Sequence, residues 1–391
     1  MPKKRKTEGS LKEKGESDYN AWFQMDIYDK LTENNELTSS FVNKQLEQKD
    51  YSTKVSTKMT SKIPNVMKAV RVNEFGGPNV LRVETDVPVP KHTETQVVIK
   101  VGSAGVNPVD TYIRMGLFAN LPPLPYIPGR DGAGRVVEVG SKVQTLKPGD
   151  RVFFSGASGS YAEYVSCEAH SVFPLSNRLS FSQGAALGVP YFTAYRALFI
   201  KGGAKPAEKV LVHGASGAVG LAVTQWARAN GNVVVGTAGT QQGMDLVKKN
   251  GALFVFNHRE KGYLEKAAEA VGGEGFDVII ENASDINLGS DLTVIGPRAR
   301  IIVVGNRGNV EISPRFLMTE EASIIGCALF RSTPAEWKET AAAVISGVET
   351  GYLVPVIDKD YQMEAVQDAH ANVLSHEGGA RGKLVLAISD E

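Results

Sequence analysis

Cysteine is scarce in this chain of 391 residues, with only Cys167 and Cys327. Two widely separated cysteines exclude a disulfide framework and any multi-cysteine zinc site. Net charge is missing as well, because 43 Lys and Arg balance 43 Asp and Glu. No global field therefore draws the chain to nucleic acid or to a membrane surface. No apolar run approaches the ~20 residues that span a bilayer, and no apolar leader follows Met1. A cytoplasmic protein in a reducing compartment, without membrane association, is the expectation.

What is present is an ordinary globular composition, 42% hydrophobic and 22% charged. Glycine is the exception: 40 residues in 391 exceed the usual ~7% and suit tight turns and close backbone approach to a ligand. Residues 1–66 stand apart. They are polar, without sustained periodicity, and too poor in apolar side chains to offset their ordering entropy. A flexible extension is expected there, with Ala21–Met25 its one apolar cluster. Its opening Pro2-Lys3-Lys4-Arg5-Lys6 leaves nuclear import as a minor alternative to a solvated charge run.

From Met67 to residue 188 the pattern is strand-like. Val97–Val101, Gly134–Gly140 and Asp150–Phe153 are separated by Gly and Pro, which predicts an irregular, barrel-like β domain over 67–188. Over 189–330 strands alternate with helices. The strands read as Val210–His213, Val233–Gly236, Leu253–Asn257, Val278–Glu281, Ile301–Val304 and Ser323–Leu329. Such alternation implies right-handed βαβ units in a parallel, doubly wound α/β sheet of Rossmann type. A helix near Glu336–Gly347 and a strand at Lys383–Ile388 predict that 331–391 returns to the β domain, leaving that domain discontinuous.

The strongest local signal is Val210-Leu-Val-His-Gly214-Ala-Ser216-Gly217-Ala218-Val219-Gly220. A buried strand meets three glycines spaced three apart, and a helix follows with Val219, Ala222, Val223, Trp226 and Ala227 on one face. Glycine allows the sharp turn and the approach of a pyrophosphate, and the helix N-terminus offers free N–H groups and partial positive charge. An NAD site places Asp or Glu roughly 20 residues on, at the end of the second strand. Here that end is Gly236-Thr237-Ala238-Gly239-Thr240, small and neutral, so it admits a 2′-phosphate. The next strand ends in Asn257-His258-Arg259, which supplies a cation. NADPH is the expected cofactor.

Several longer motifs then fall in order: Gly105–Arg114, Pro128–Gly134, Tyr161–Tyr164, Pro190–Ala197 and His213–Gly220. Together they make 67–391 similar to the zinc-free quinone oxidoreductases of the zeta-crystallin family, within the medium-chain dehydrogenases/reductases. The resemblance implies a GroES-like β domain, a Rossmann domain, NADPH in the cleft between them, and a homodimer or homotetramer. It implies cofactor contacts at Ser216, Gly217, Ala218 and Val219, and at Gly239 and His258 near the adenosine phosphate. Asn287 and Val304-Gly305-Asn306-Arg307 would then lie near the ribose and nicotinamide, with Asn306 where the family has Ser. Tyr112 falls at the family's substrate pocket, with Asn107 and Asp110 beside it.

The zinc alcohol dehydrogenases of the superfamily carry a Cys ligand and a His ligand where this chain has Asn107 and Arg130. Asn is a poor zinc ligand and Arg is none, so no metal is expected and alcohol activation by a Lewis acid is disfavoured. The task left to the protein is to orient nicotinamide against an acceptor that takes hydride or electrons easily, a quinone or an enone. Tyr112 is either a hydrogen-bond donor to that acceptor or a packed wall residue. Asn107 and Asp110 either join it or simply brace its loop. Outside enzymes, a role as an RNA-binding or structural crystallin-like protein stays open, with the basic extension as the RNA contact.

Overall fold

A computed structural model describes residues 63–375 and 378–389. The expected polar extension, its basic opening and the Ala21–Met25 cluster therefore lie outside the described residues, apart from 63–66. In chain order the first half carries β1 (Val66–Val72), β2 (Leu81–Pro88), β3 (Gln96–Val106), α1 (Pro108–Arg114), β4 (Asp131–Val139), β5 (Arg151–Ser155), β6 (Tyr164–Glu168), β7 (Val172–Pro174), α2 (Phe181–Ala185) and α3 (Gly188–Tyr195). Next come β8 (Lys209–Val212), α4 (Ala218–Ala229), β9 (Val233–Ala238), α5 (Gln241–Lys249), β10 (Phe254–Asn257), α6 (Tyr263–Ala270), β11 (Phe276–Glu281), α7 (Ser284–Asp291), β12 (Ile295–Val303), α8 (Pro314–Glu320) and β13 (Ser323–Gly326). The chain closes with α9 (Pro334–Thr350), β14 (Ile357–Gln362), α10 (Val366–Ser375) and β15 (Lys383–Ala387).

Among the described residues, one sheet has the order β10-β9-β8-β11-β12-β13 and is parallel throughout. Its strands are apolar on both faces, as a sheet covered on both sides by helices requires. Val210, Val212, Val278 and Ile280 enter one core, while their neighbours Leu211 and Ile279 enter the core on the opposite face. The order reverses between β8 and β11, so their carboxyl ends frame the crevice where open α/β sheets bind ligands. The final strand is shorter than its apolar text suggests. Cys327 N still bonds Val303 O at 2.9 Å, but the chain then turns into a 3₁₀ segment, Leu329–Arg331. β13 stands at the edge of this sheet.

A second sheet runs β14-β15-β3-β4-β5-β7, with β6 also pairing to β3. Val97, Ile99 and Val101 of β3 carry its core, together with Val136, Val152, Leu384 and Leu386. The late strands β14 and β15 join it through an antiparallel ladder of β15 on β3. Helix α9 instead packs on α3, with the tilted rings of Trp337 and Phe192 5.0 Å apart. Its start is locally encoded by Thr333-Pro-Ala-Glu336. Thr333 Oγ1 accepts from Glu336 N at 3.2 Å, and Glu336 Oε2 accepts from Thr333 N at 2.6 Å, a closed capping box with Pro at the first helical position.

Candidate functional site

Strand β8 delivers the chain into a tight turn at His213–Gly217, and α4 starts at once, with Gly217 as its N-cap. Gly214 sits at φ +60°, a left-handed conformation that glycine adopts without steric cost. Its N–H bonds Thr237 Oγ1 at 3.2 Å, and Ala215 N bonds Thr237 O at 2.8 Å, so β9 pins the turn. Gly220 packs so closely beneath it that a Cβ there would lie 2.4 Å from Gly214 O. Ser216 is buried, and Gly217, Ala218 and Val219 remain half-buried at the helix start. The result is a row of backbone N–H groups at a helix N-terminus, an arrangement suited to an anion.

Three more groups of the residues singled out from sequence meet around this turn. Gly239, just past β9, faces the end of β10, where His258 Nε2 and Arg259 Nε would lie 2.7 and 2.9 Å from a Cβ on it. Burial holds the His258 imidazole below its ordinary value, with His213 and Arg259 adding to the effect. The lasting positive charge at this corner therefore belongs to Arg259. Beyond β12, Val304 N and Gly305 N both bond Glu281 O, at 2.9 and 3.1 Å. Asn306 Oδ1 accepts from Ser284 Oγ at 3.0 Å, and Arg307 N bonds Asp285 Oδ1 at 3.0 Å. Asn287 Nδ2 donates to Glu281 Oε1 at 3.3 Å. These residues line the carboxyl ends of β11 and β12, on the far side of the crevice from Gly239.

The sequence carries no evident signal for a strap that crosses the turn. Gly382 pairs with Gly217 in a parallel bridge, and Arg381 reaches Gln242 Oε1 at 3.0 Å and Asp358 Oδ1 at 3.2 Å. The β15 segment thereby ties the second sheet to the glycine turn. His213 forms a further buried cluster: its Nε2 stands 2.7 Å from Asp291 Oδ1 and 3.9 Å from Glu281 Oε2. Burial opposes charge on this imidazole, but Asp291 and Glu281 outweigh it and raise its pKa.

Asn107 and Asp110 lie on a second constellation, at the start of α1. They form a reciprocal cap in which Asp110 Oδ2 accepts from Asn107 N at 3.0 Å. Asn107 Nδ2 also donates to Asp131 Oδ1 at 2.7 Å, while its Oδ1 takes the ammonium of Lys383. Lys383 Nζ is 3.8 Å from Asp131 Oδ2, and both side chains are buried. Asp110 also forms part of the wall of a cavity of about 230 Å³, with Ile113, Tyr126, Gly129 and Arg130. Tyr112 is half-buried on the same helix, but this cavity wall does not include it. Lys383, Asp131 and Tyr126 escape sequence reading because each sits in an unremarkable strand or loop context.

Burial, with Asp131 close by, pushes the Asp110 carboxyl up to about 7. An acid whose pKa is raised on folding stabilises the fold at low pH and loses that contribution as pH climbs through the folded value. Between pH 6 and pH 8 the loss from Asp110 is about 1 kcal/mol, at 1.36 kcal/mol per unit. Glu281, raised to about 7 chiefly by burial, acts with the same sign. Denaturant titrations at the two pH values should show wild type losing about 1 kcal/mol more than Asp110→Asn. Equal losses would show that Asp110 is ionised throughout that range.

Residues 93–177 match the family model described as an alcohol dehydrogenase GroES-like domain, and 218–346 match that of a zinc-binding dehydrogenase. A quinone oxidoreductase of Homo sapiens is 51% identical over 83% of this chain and 98% of its own length. One of Lama guanicoe is 52% identical with the same coverage. Among solved structures, Escherichia coli quinone oxidoreductase complexed with NADPH has a TM-score of 0.74 and 29% identity, over 82% of this chain and 99% of that one. A zinc held by cysteine, or by the positions of Asn107 and Arg130, does not fit the residues present there. Cys167 and Cys327 are buried in separate cores, and the cation beside Asn107 and Asp131 is the ammonium of Lys383.

Proposed function

The chain belongs to the quinone oxidoreductase family of the medium-chain dehydrogenases/reductases, and from that membership we propose how its own residues carry out the reaction. It is an NADPH-dependent quinone reductase that works without a metal. When bound, NADPH would supply the reducing equivalents. The glycine turn Gly214–Gly220 receives the pyrophosphate on the N–H groups of Ser216, Gly217, Ala218 and Val219. The neutral strand end at Gly239 leaves room for the 2′-phosphate, with His258 and Arg259 as its polar partners. Asn287 and Val304–Arg307 border the ribose and nicotinamide, and Gly305 lets this loop pack against the Asn282 backbone. On the acceptor side, Tyr112 and Asp110 belong to one short helix that Asn107 caps, so the cap sets the orientation of both.

This reading divides the chain into 67–188 and 331–391 on the acceptor side and 189–330 on the cofactor side. In the homodimer or homotetramer implied by the family, the open edge of β13 is the surface we assign to pairing; sedimentation of the purified protein tests it.

The observation that carries the cofactor assignment is the pairing of Gly239 with Arg259 across two strand ends. A charge-assisted hydrogen bond of about 1.5–3 kcal/mol makes Arg259→Ala cost roughly ten- to a hundredfold in NADPH affinity. NADH affinity should hold within about twofold on the same scale. The experiment titrates both cofactors into wild type and variant, then follows turnover with an ortho-quinone and an enal in parallel after chelation. Equal loss for NADPH and NADH would remove Arg259 from the phosphate site. Turnover of the enal alone would move the activity to double-bond reduction.

A further inference from the structure

Arg114, Lys383 and Arg130 all stand near α1, and the first two already have partners. Arg114 is buried at the end of the helix, where its Nε donates to Gly76 O at 3.1 Å and its Nη1 to His370 Nδ1 at 3.3 Å. Lys383 is buried as well, its ammonium held between Asn107 and Asp131. Arg130 differs. It lines the cavity of about 230 Å³ beside Asp110, and among the described residues no hydrogen bond or ion pair holds its guanidinium. The next residue, Asp131, turns inward to Lys383, to Asn107 Nδ2 at 2.7 Å and to Val189 N at 2.8 Å. Arg130 instead sits over the Phe330 ring, 5.1 Å from its centroid. A ring contact uses none of the five N–H donors of a guanidinium. The fork that grips an oxyanion with two bonds therefore stays available.

The ledge that carries Arg130 is pinned along its length. Tyr161 N bonds Pro128 O at 3.1 Å, Gly159 N bonds Gly129 O at 3.0 Å, and Gly156 N bonds Arg130 O at 2.9 Å. Gly129 holds φ +96°, and a Cβ on it would lie 2.1 Å from Ser160 Oγ. The backbone beneath Arg130 is thus fixed before any ligand arrives, which lowers the ordering cost of binding. A second donor faces the same space. Tyr126 lines the cavity, and its buried hydroxyl has no hydrogen-bond partner among the described residues. Burial pushes this phenol up to about 12, so it keeps its proton and can donate. Asp110, the acid in the wall, is pushed up to about 7 by burial and the nearby Asp131, so below neutrality it sets little charge against Arg130. Ile113, Leu121, Pro122 and Pro128 supply apolar wall. An unpaired cation, an unpartnered donor and apolar flanks together fit a flat ring that bears an anionic oxygen group.

We propose that Arg130 determines acceptor specificity, selecting a quinone of one or two rings that carries a carboxylate or sulfonate group, with Tyr126 as the accompanying donor. The inference rests on the quinone reductase reading above. It concerns which acceptor is held, whatever the order in which electrons reach it. The cavity volume of about 230 Å³ falls below the ~300–1,000 Å³ of sites for drug-sized ligands, which sets the limit on ring number. A guanidinium keeps its charge at every working pH. Its attraction for an anion is stronger in a walled cavity than on an open surface, because less water screens it.

The test uses the full chain with NADPH and two acceptors, 1,2-naphthoquinone and its 4-sulfonate, in wild type, Arg130→Met and Arg130→Lys. The sulfonate also alters the quinone's own reactivity, so the quantity read is the ratio of the two kcat/KM values in each protein. General damage from a substitution strikes both quinones and cancels in that ratio. Arg130→Met should lower the preference for the sulfonate about ten- to a hundredfold, the size of a charge-assisted hydrogen bond, chiefly through KM. Arg130→Lys should recover part of it, because lysine keeps the charge and loses the two-point grip. NADPH affinity should be the same in all three. A second readout needs no turnover: naphthalene-1-sulfonate is titrated into the NADP⁺-saturated proteins and followed by its fluorescence, and Arg130→Met should bind it more weakly by a similar factor. With turnover present, an unchanged ratio overturns the proposal alone. If wild type reduces neither quinone although it binds NADPH, the reductase reading falls, and the titration decides the anion site: weakened binding in Arg130→Met keeps it, and equal binding removes it.

Discussion

Gly220→Ala should weaken NADPH binding about a hundredfold or more, roughly 2.7 kcal/mol, and lower the stability of the protein by a further 1–3 kcal/mol, roughly the cost of overpacking a close contact. The added methyl carbon would stand 2.4 Å from Gly214 O, 2.5 Å from Ala215 Cα and 2.8 Å from Ala215 C. All three are backbone atoms, so no side chain can swing aside. The turn is held from above by Thr237, which binds both Gly214 N and Ala215 N. Helix α4 must therefore slide away from the turn, and that motion displaces the N–H row to which the proposed function assigns the pyrophosphate. Gly272→Ala is the control. Gly272, unlike Gly220, adopts a left-handed conformation, at φ +97°, so its change to Ala brings backbone strain without overlap, since nothing lies within 4 Å of its Cβ position. Calorimetric titration with NADPH should separate the two variants. A Gly220→Ala protein that binds as wild type does would show that the turn is not the phosphate site.

The turn was legible in the sequence because its requirements are local. Three glycines, a preceding apolar strand and a following amphipathic helix lie within about a dozen residues, so a single segment encodes strand, turn and helix. The parallel sheet was legible for a related reason, since each βαβ unit repeats the same change of period. The shortened β13 was not. Ser323–Phe330 reads as one apolar run, and the ladder stops where β12, its pairing partner, also ends, a limit that one strand's residues cannot reveal. The polar cluster behind the cavity was less legible still. Asn107 and Lys383 stand 276 positions apart, and Arg114 and His370 stand 256 apart. A Lys at the head of an apolar strand reads as a strand terminus pointing to water. Only the antiparallel ladder of β15 on β3 carries it inward, to the place where α1 begins.

The same buried ammonium leads to the second large effect: Lys383→Met should destabilise the protein by about 3–5 kcal/mol, the cost of leaving one member of a buried pair alone. Methionine keeps the length and apolar stem of lysine, so little volume is lost and the change isolates the charge. Asp131 would retain Asn107 Nδ2 and Val189 N as donors but lose its cation. Asn107 Oδ1 would lose its only partner in this cluster. The double variant Lys383→Met with Asp131→Asn removes both charges and should recover most of that loss, because an uncharged, hydrogen-bonded pair carries no desolvated ion. The two single changes would then be strongly non-additive in a double-mutant cycle read by denaturant unfolding. Burial drives the Lys383 pKa down while Asp131 and Asp110 hold it up, so the cycle also decides which wins. A cost below about 1 kcal/mol for Lys383→Met, within the usual range of surface changes, would mean that the amine is already neutral in the folded protein. A large and recoverable cost means that Lys383 carries its charge in the folded protein, paired with Asp131 and next to Gly382, which bridges to Gly217.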